Sequence, residues 1–159
     1  MTARLQLKRE DLERIHRQAE AEYPAECCGI LTVGAASDLS RVHPCGNIQG
    51  RLHHEDPAQY PREPRIAYFI DPKEQFDIIS AAERSGGRVS GFYHSHIDCE
   101  AYFSDEDKER AMAWDEPAYA DAVYFVVSVF AGKIRGSGKA FGWQSESRDF
   151  SEVESEIFE

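Results

Sequence analysis

The chain has 159 residues, with 18 Lys or Arg against 29 Asp or Glu, a formal net charge of −11 at pH 7. That length fits one compact domain, which buries roughly 68–70% of its unfolded surface and so needs neither disulfides nor a structural metal to fold. The acidic excess argues against nucleic acid or an anionic membrane as partner, because both select for basic patches.

Met1 to Glu10 lacks a long apolar core and does not read as a secretory signal. Arg9 to Tyr23 places Leu12, Ile15, Ala19 and Tyr23 at helical spacing, and Pro24 stops that helix. Cys27 to Val33 is a short apolar run ending at Gly34, a buried strand with Leu39 to Pro44 as its hairpin partner. Gly46 to Pro64 is polar and carries Gly50, Pro57 and Pro61, which predicts a long surface loop. Ile66 to Ile70 is a strand candidate. Asp71-Pro72-Lys73-Glu74 then supplies a helix start, with Asp as N-cap and Pro at the first helical position. Phe76, Ile79 and Ala82 form its apolar stripe, and Gly86-Gly87 ends it.

Arg88 to His94 reads as a strand, and Ser104 opens a third helix reaching about Ala113. Asp121 to Phe130 is an apolar strand that turns at Gly132 into an antiparallel partner, Ile134 to Trp143. The apolar stretch from Ala122 to Ala131 is too short to span a bilayer. Residues 144–159 form an acidic tail that Phe150, Val153, Ile157 and Phe158 would dock as a short helix. Hairpins mixed with strand–helix–strand units predict an α/β fold, a mixed sheet with helices packed against it. None of the four cysteines, Cys27, Cys28, Cys45 and Cys99, forms a CxxC pair, and a reduced, cytoplasmic protein is the simplest expectation.

The chemistry concentrates between His94 and Asp107. His94 and His96 sit two residues apart at a strand end, so both imidazoles leave the same face, with Cα atoms roughly 6.5 Å apart at about 3.3 Å per residue. Rings at that separation can converge on one ion, while Ser95 points the other way. Asp107 lies just inside the next helix, and the intervening loop can fold it back. Two His and one carboxylate leave the fourth position of a tetrahedral zinc open, as catalysis requires. Ser104 to Asp107 also fits a loose capping box, and the two roles are compatible.

His94-Ser95-His96, seven residues, Ser104, two residues, Asp107 resembles the H-[S/T]-H-x7-S-x2-D signature of the JAMM metalloproteases, the active MPN-domain family. That family also carries an upstream glutamate in P-x-E-x-C-G, here Pro24-Ala25-Glu26-Cys27-Cys28-Gly29. Ile97 departs from the Pro that many members place after the second His. The resemblance implies a largely antiparallel sheet related to the cytidine-deaminase fold, with the catalytic domain at residues 1–143. It implies zinc held by His94, His96 and Asp107, Glu26 as general base and Ser104 as oxyanion donor. It further implies a peptidase or isopeptidase acting at the C-terminal glycine of a ubiquitin-like or sulfur-carrier protein, whose tail the loop from Gly46 to Pro64 would clamp.

Two alternatives remain open. Cys28 or Cys99 near His94 or His96 would suit a cysteine-nucleophile hydrolase. An MPN-type scaffold without catalysis is the other, although all five site positions are filled. Rival motifs fail: His54-Glu55-Asp56-Pro57-Ala58 lacks the second His of HExxH, and Gly136 to Ala140 lacks the spacing and final hydroxyl of a P-loop. His53-His54-Glu55-Asp56 is a weak second metal candidate, because adjacent residues rarely chelate together.

Overall fold

A computed structural model describes residues 3–159. Strand β1 (Leu5–Lys8) buries Leu5 and Leu7 and runs directly into helix α1 (Arg9–Glu22). The helix buries Leu12, Ile15 and Ala19 on one stripe, as the spacing predicts. Strand β2 (Cys28–Val33) is buried at every position, which suits a strand covered on both faces. Strand β3 (Arg41–Cys45) pairs with it antiparallel, Cys28 opposite Cys45.

The segment expected to be a loop holds a helix, α2 (Gln49–Glu55). Asn47 organises this region: its Oδ1 accepts the amides of both Gln49 and Phe69 at 3.0 Å. Ile66 to Ile70 is accordingly no strand. Its main chain is tied to the Asn47 turn, with a single bridge between Asn47 and Ile70. Helix α3 (Pro72–Arg84) starts as predicted, Asp71 accepting the Lys73 amide at 2.9 Å. It buries no residue, however, and Phe76 is 70% exposed. Ile78, not Phe76, packs on the core, and Phe76 and Ile79 line an open groove.

Strand β4 (Arg88–Ile97) runs antiparallel to β2 and is followed by the short helix α4 (Asp105–Arg110). Helix α4 ends before Ala113 because Met112 enters a small hairpin, β5 (Met112–Ala113) with β6 (Glu116–Pro117), turning at Trp114 with φ +61°. Strands β7 (Val123–Phe130) and β8 (Lys133–Gln144) form the predicted antiparallel pair. The tail is not a helix. It forms β9 (Asp149–Val153) and β10 (Ser155–Phe158). Strand β9 covers the edge of β8, and β10 pairs in parallel with β1, where Leu5 and Leu7 already need cover.

The main sheet has the order β3-β2-β4-β7-β8-β9, and only β4 and β7 are parallel within it. Alternating side chains feed two cores. Cys27, Leu31, Tyr93 and Phe125 pack with α1 on one face. Cys28, Ile30, Phe92 and Tyr124 pack on the other, with Phe103 and Phe150. Gly29 makes the first arrangement possible: a Cβ there would lie 2.1 Å from the Tyr93 ring, whose hydroxyl donates to Gln18 Oε1 at 2.6 Å. Among the described residues no helix is long and apolar enough to cross a membrane.

Candidate metal centre

The histidines lie on the second face, at the end of β4. Cys28 is paired with His94 in register, and continuing that antiparallel register places Glu26 opposite His96. Ser95 faces the other way, as expected. It is fully buried, its Oγ accepts the Cys27 amide at 2.7 Å, and its own amide donates to Cys27 O at 3.1 Å. The middle residue of the motif therefore joins the strand end carrying the histidines to the segment carrying Glu26.

Helix α4 delivers the carboxylate. Ser104 Oγ accepts the Asp107 amide at 3.0 Å, and Asp107 Oδ2 accepts the Ser104 amide at 3.1 Å, a complete capping box. Because that hydroxyl accepts from Asp107, its own proton is free to point elsewhere. The same Asp107 Oδ2 lies 3.3 Å from His94 Nε2 and 3.2 Å from His96 Nε2. The three ligand atoms all fall within 4.8 Å of one another, the one such trio among the described residues. Ligand atoms on one tetrahedral ion, with bonds of about 2.0 Å, sit about 3.3 Å apart.

Two features of hydrogen bonding fit an ion here. His94 is 1% exposed, and its Nε2 finds no hydrogen-bond partner among the described residues. Such an orphaned buried nitrogen is costly unless something binds it. His96 Nδ1 lies 3.0 Å from Glu100 O, and only a protonated nitrogen can bond a carbonyl. In the neutral ring, that leaves the Nε2 lone pair facing the Asp107 carboxylate, an arrangement a cation between them reconciles.

Electrostatics separate the two carboxylates. Burial pushes the Glu26 carboxyl up to about 9, with the charges of Asp107 and Glu106 adding to the rise and Arg110 and Arg62 opposing it. Burial pulls the same way on Asp107, but the close approach of His94 and His96 and the hydrogen bond from the Ser104 amide outweigh it and hold Asp107 well below the usual carboxylate range. Burial lowers His94, which favours the neutral ring a metal requires. The thiols are poor nucleophiles: burial pushes Cys27 and Cys45 up to about 12, and Cys28 and Cys99 are raised as well. That counts against a cysteine-based hydrolase.

Sequence reasoning missed the aromatic walls. Tyr68 stacks on His94, ring centroids 4.7 Å apart, and Arg110 sits over Tyr68 and donates to its carbonyl. Tyr102 meets His96 edge-on at 4.9 Å. Tyr68 was hidden because Ile66 to Ile70 looked like a strand. An open groove of about 440 Å³ leads from Asp107 past Tyr68, Phe92 and Tyr119 to Phe76 and Ile79 on α3. His53 and His54 lie apart from the trio, on α2, where His53 Nδ1 contacts Tyr60 O at 2.7 Å.

A family model described as prokaryotic homologs of the JAB domain matches residues 8–141. A desampylase from Haloferax volcanii is 35% identical over 118 residues, 74% of this chain and 72% of that protein. Tail tip assembly protein K of Escherichia phage N15 is 29% identical over 107 residues, 67% of this chain and 36% of the phage protein. Among solved structures, a Desulfitobacterium hafniense protein superposes with a TM-score of 0.70 at 23% identity, covering 98% of this chain and 93% of that one. A JAB1/MPN domain protein from Archaeoglobus fulgidus gives 0.52 at 16% identity, with 98% and 97% covered, a likeness of fold. With a family match over most of its length and the histidine pair and aspartate of the signature gathered at one point, the chain belongs to the prokaryotic JAB-domain family of JAMM-type hydrolases.

Proposed function

We propose that the protein is a zinc-dependent isopeptidase or peptidase that hydrolyses the bond at the C-terminal glycine of a ubiquitin-like modifier. The observation that carries this reading is the buried trio of His94, His96 and Asp107, with an unpartnered His94 Nε2. The desampylase relative supports the modifier as substrate class. A sulfur-carrier protein with the same glycine end is the closest variant of that substrate.

His94, His96 and Asp107 would hold the ion through two nitrogens and one oxygen. Bound there, zinc supplies a Lewis acid and a more acidic water. Glu26 accepts a proton from the attacking water and returns it to the leaving amine, so that water and amide become acid and amine. A pKa raised by burial suits a group that must both take and give a proton, and a bound cation would lower it. Ser104 Oγ–H, free of intramolecular duty, donates to the developing oxyanion. Tyr68 and Arg110 shield one side of His94 from water. The extended tail of the modifier lies in the groove that runs from Asp107 towards Phe76.

The test uses a ubiquitin-like protein ending in Gly-Gly, joined at that glycine either to a peptide or to a lysine side chain. Release of the intact Gly-Gly end by zinc-loaded protein, blocked by a chelator and restored by zinc, is the expected result. Purified protein that takes up no stoichiometric zinc would refute the proposal and favour a binding role.

A further inference from the structure

The loop that leaves the second histidine is tied down by one side chain. Asp98 has φ +54°, a left-handed conformation that Asp and Asn tolerate better than most residues. Its amide donates to Val129 O at 2.7 Å. Its carboxylate collects donors from three separate segments: the Ala131 amide at 2.8 Å, the Tyr23 hydroxyl at 3.0 Å and Arg65 Nη2 at 2.8 Å.

Two of these donors lead to Glu26. Tyr23 follows the last residue of α1 and stands three positions before it. Arg65 follows Pro64, whose carbonyl accepts the Glu26 amide at 2.8 Å. Glu26 is gripped through its main chain, since its carbonyl in turn accepts from Asn47 Nδ2 at 2.9 Å. Where that main chain sits decides where the carboxylate sits. On the other side, Asp98 is two residues past His96, in the loop that brings Glu100 O to His96 Nδ1 at 3.0 Å.

We propose that Asp98 is a positioning residue for hydrolysis, locking the segment that carries Glu26 against the loop that orients His96. The proposal rests on Glu26 being the base. As an ion pair, Asp98 with Arg65 is worth little, because both side chains meet solvent. Its value is geometric: three chain segments converge on one carboxylate, and a shift of about 1 Å at a catalytic group can cost on the order of 100-fold in rate.

Asp98→Asn is the informative variant, because Asn keeps an acceptor for Ala131 and tolerates the positive φ. With a Gly-Gly-ended ubiquitin-like protein carrying a fluorogenic amine, kcat should fall roughly 10-fold or more, with KM and zinc content unchanged. Tyr23→Phe should lower kcat in the same sense, and adding it to Asp98→Asn should cost little more, because both act through one contact. Amide hydrogen exchange should quicken at Tyr23, Ala25, Glu26, Arg65 and Ile66, a readout that needs no substrate. If Asp98→Asn lowers folding yield, Tyr23→Phe alone carries the test. Wild-type kcat in Asp98→Asn beside a dead Glu26→Gln, or unchanged exchange in both segments, would overturn the positioning role alone. Full turnover by Glu26→Gln would instead remove the base on which it rests.

Discussion

Ser95 Oγ and the Cys27 amide are 2.7 Å apart, both fully buried, on two chain segments that carry different parts of the site. Ser95→Ala leaves that amide buried without its acceptor. An orphaned buried donor costs about 1–3 kcal/mol. Thermal unfolding of the variant should therefore begin roughly 2–10 °C lower for a chain of this size. An unchanged melting temperature would show that the contact contributes nothing.

The proposed function gives Ser104 two duties that one substitution can separate. As N-cap of α4 it accepts the Asp107 amide, and Gly at an N-cap costs only a few tenths of a kcal/mol. As the proposed oxyanion donor it would be worth about 100- to 1,000-fold in kcat. Ser104→Gly should thus fold almost normally, keep its zinc and lose turnover by that factor. Near-normal kcat in the variant would remove Ser104 from the chemistry.

Glu26→Gln should retain zinc, since Glu26 is not among the three ligand atoms, and lose turnover by about 100- to 10,000-fold. Metal analysis beside a turnover assay checks both halves. Loss of metal together with activity would make Glu26 a ligand and not a base.

The same residue gives the metal-free protein a pH signature. Glu26 titrates near 4.5 when unfolded and about 9 when folded. Between those values the folded state keeps a proton the unfolded state has lost, so stability is fully present below about 4.5 and falls as pH rises towards 9. Glu26→Gln abolishes that slope. In chelator, the variant should gain on the wild type as pH rises, by on the order of 2–3 kcal/mol at pH 7 compared with pH 4. Urea titrations at several pH values measure the gap, and parallel curves for the two proteins would contradict the burial argument.

Zinc binding itself should be visible as stability. A ligand at 100 times its dissociation constant adds about 2.7 kcal/mol, or roughly 5–10 °C here. Adding chelator should remove that increment from the wild type. His94→Ala, which deletes one nitrogen of the trio, should show no response to either zinc or chelator. An equal zinc shift in the variant would place the ion elsewhere.

Much of this site was legible because its geometry is local. His94 and His96 share a face through the two-residue period of a strand, and Asp107 is set by a cap that four consecutive residues encode. What was hidden depends on contacts between distant segments. The Asp98 clamp joins residues 23, 65, 98 and 131, and no periodicity reports such a meeting. Helix α2 and the bent course of Ile66 to Ile70 both follow from the Asn47 side chain, which competes with sheet hydrogen bonding in a way composition does not reveal. Phe76 and Ile79 have the spacing of a core stripe yet line a groove, since periodicity marks an apolar face without saying what covers it. Strand β10 was missed because it finds its partner in β1, at the far end of the sequence.

That last pairing orders the birth of the molecule. Leu5 sits opposite Ser155, so β1 is synthesised long before the strand that pairs with it. Glu26, the histidine pair and Asp107 will all have been synthesised while Leu5 and Leu7 still lack their neighbour. Contacts this distant in sequence form late, because the chain entropy of closing so long a loop must be overcome first. A ribosome stalled before residue 155 therefore holds a chain with its site residues translated and β1 without its partner strand, a form open to aggregation and proteolysis.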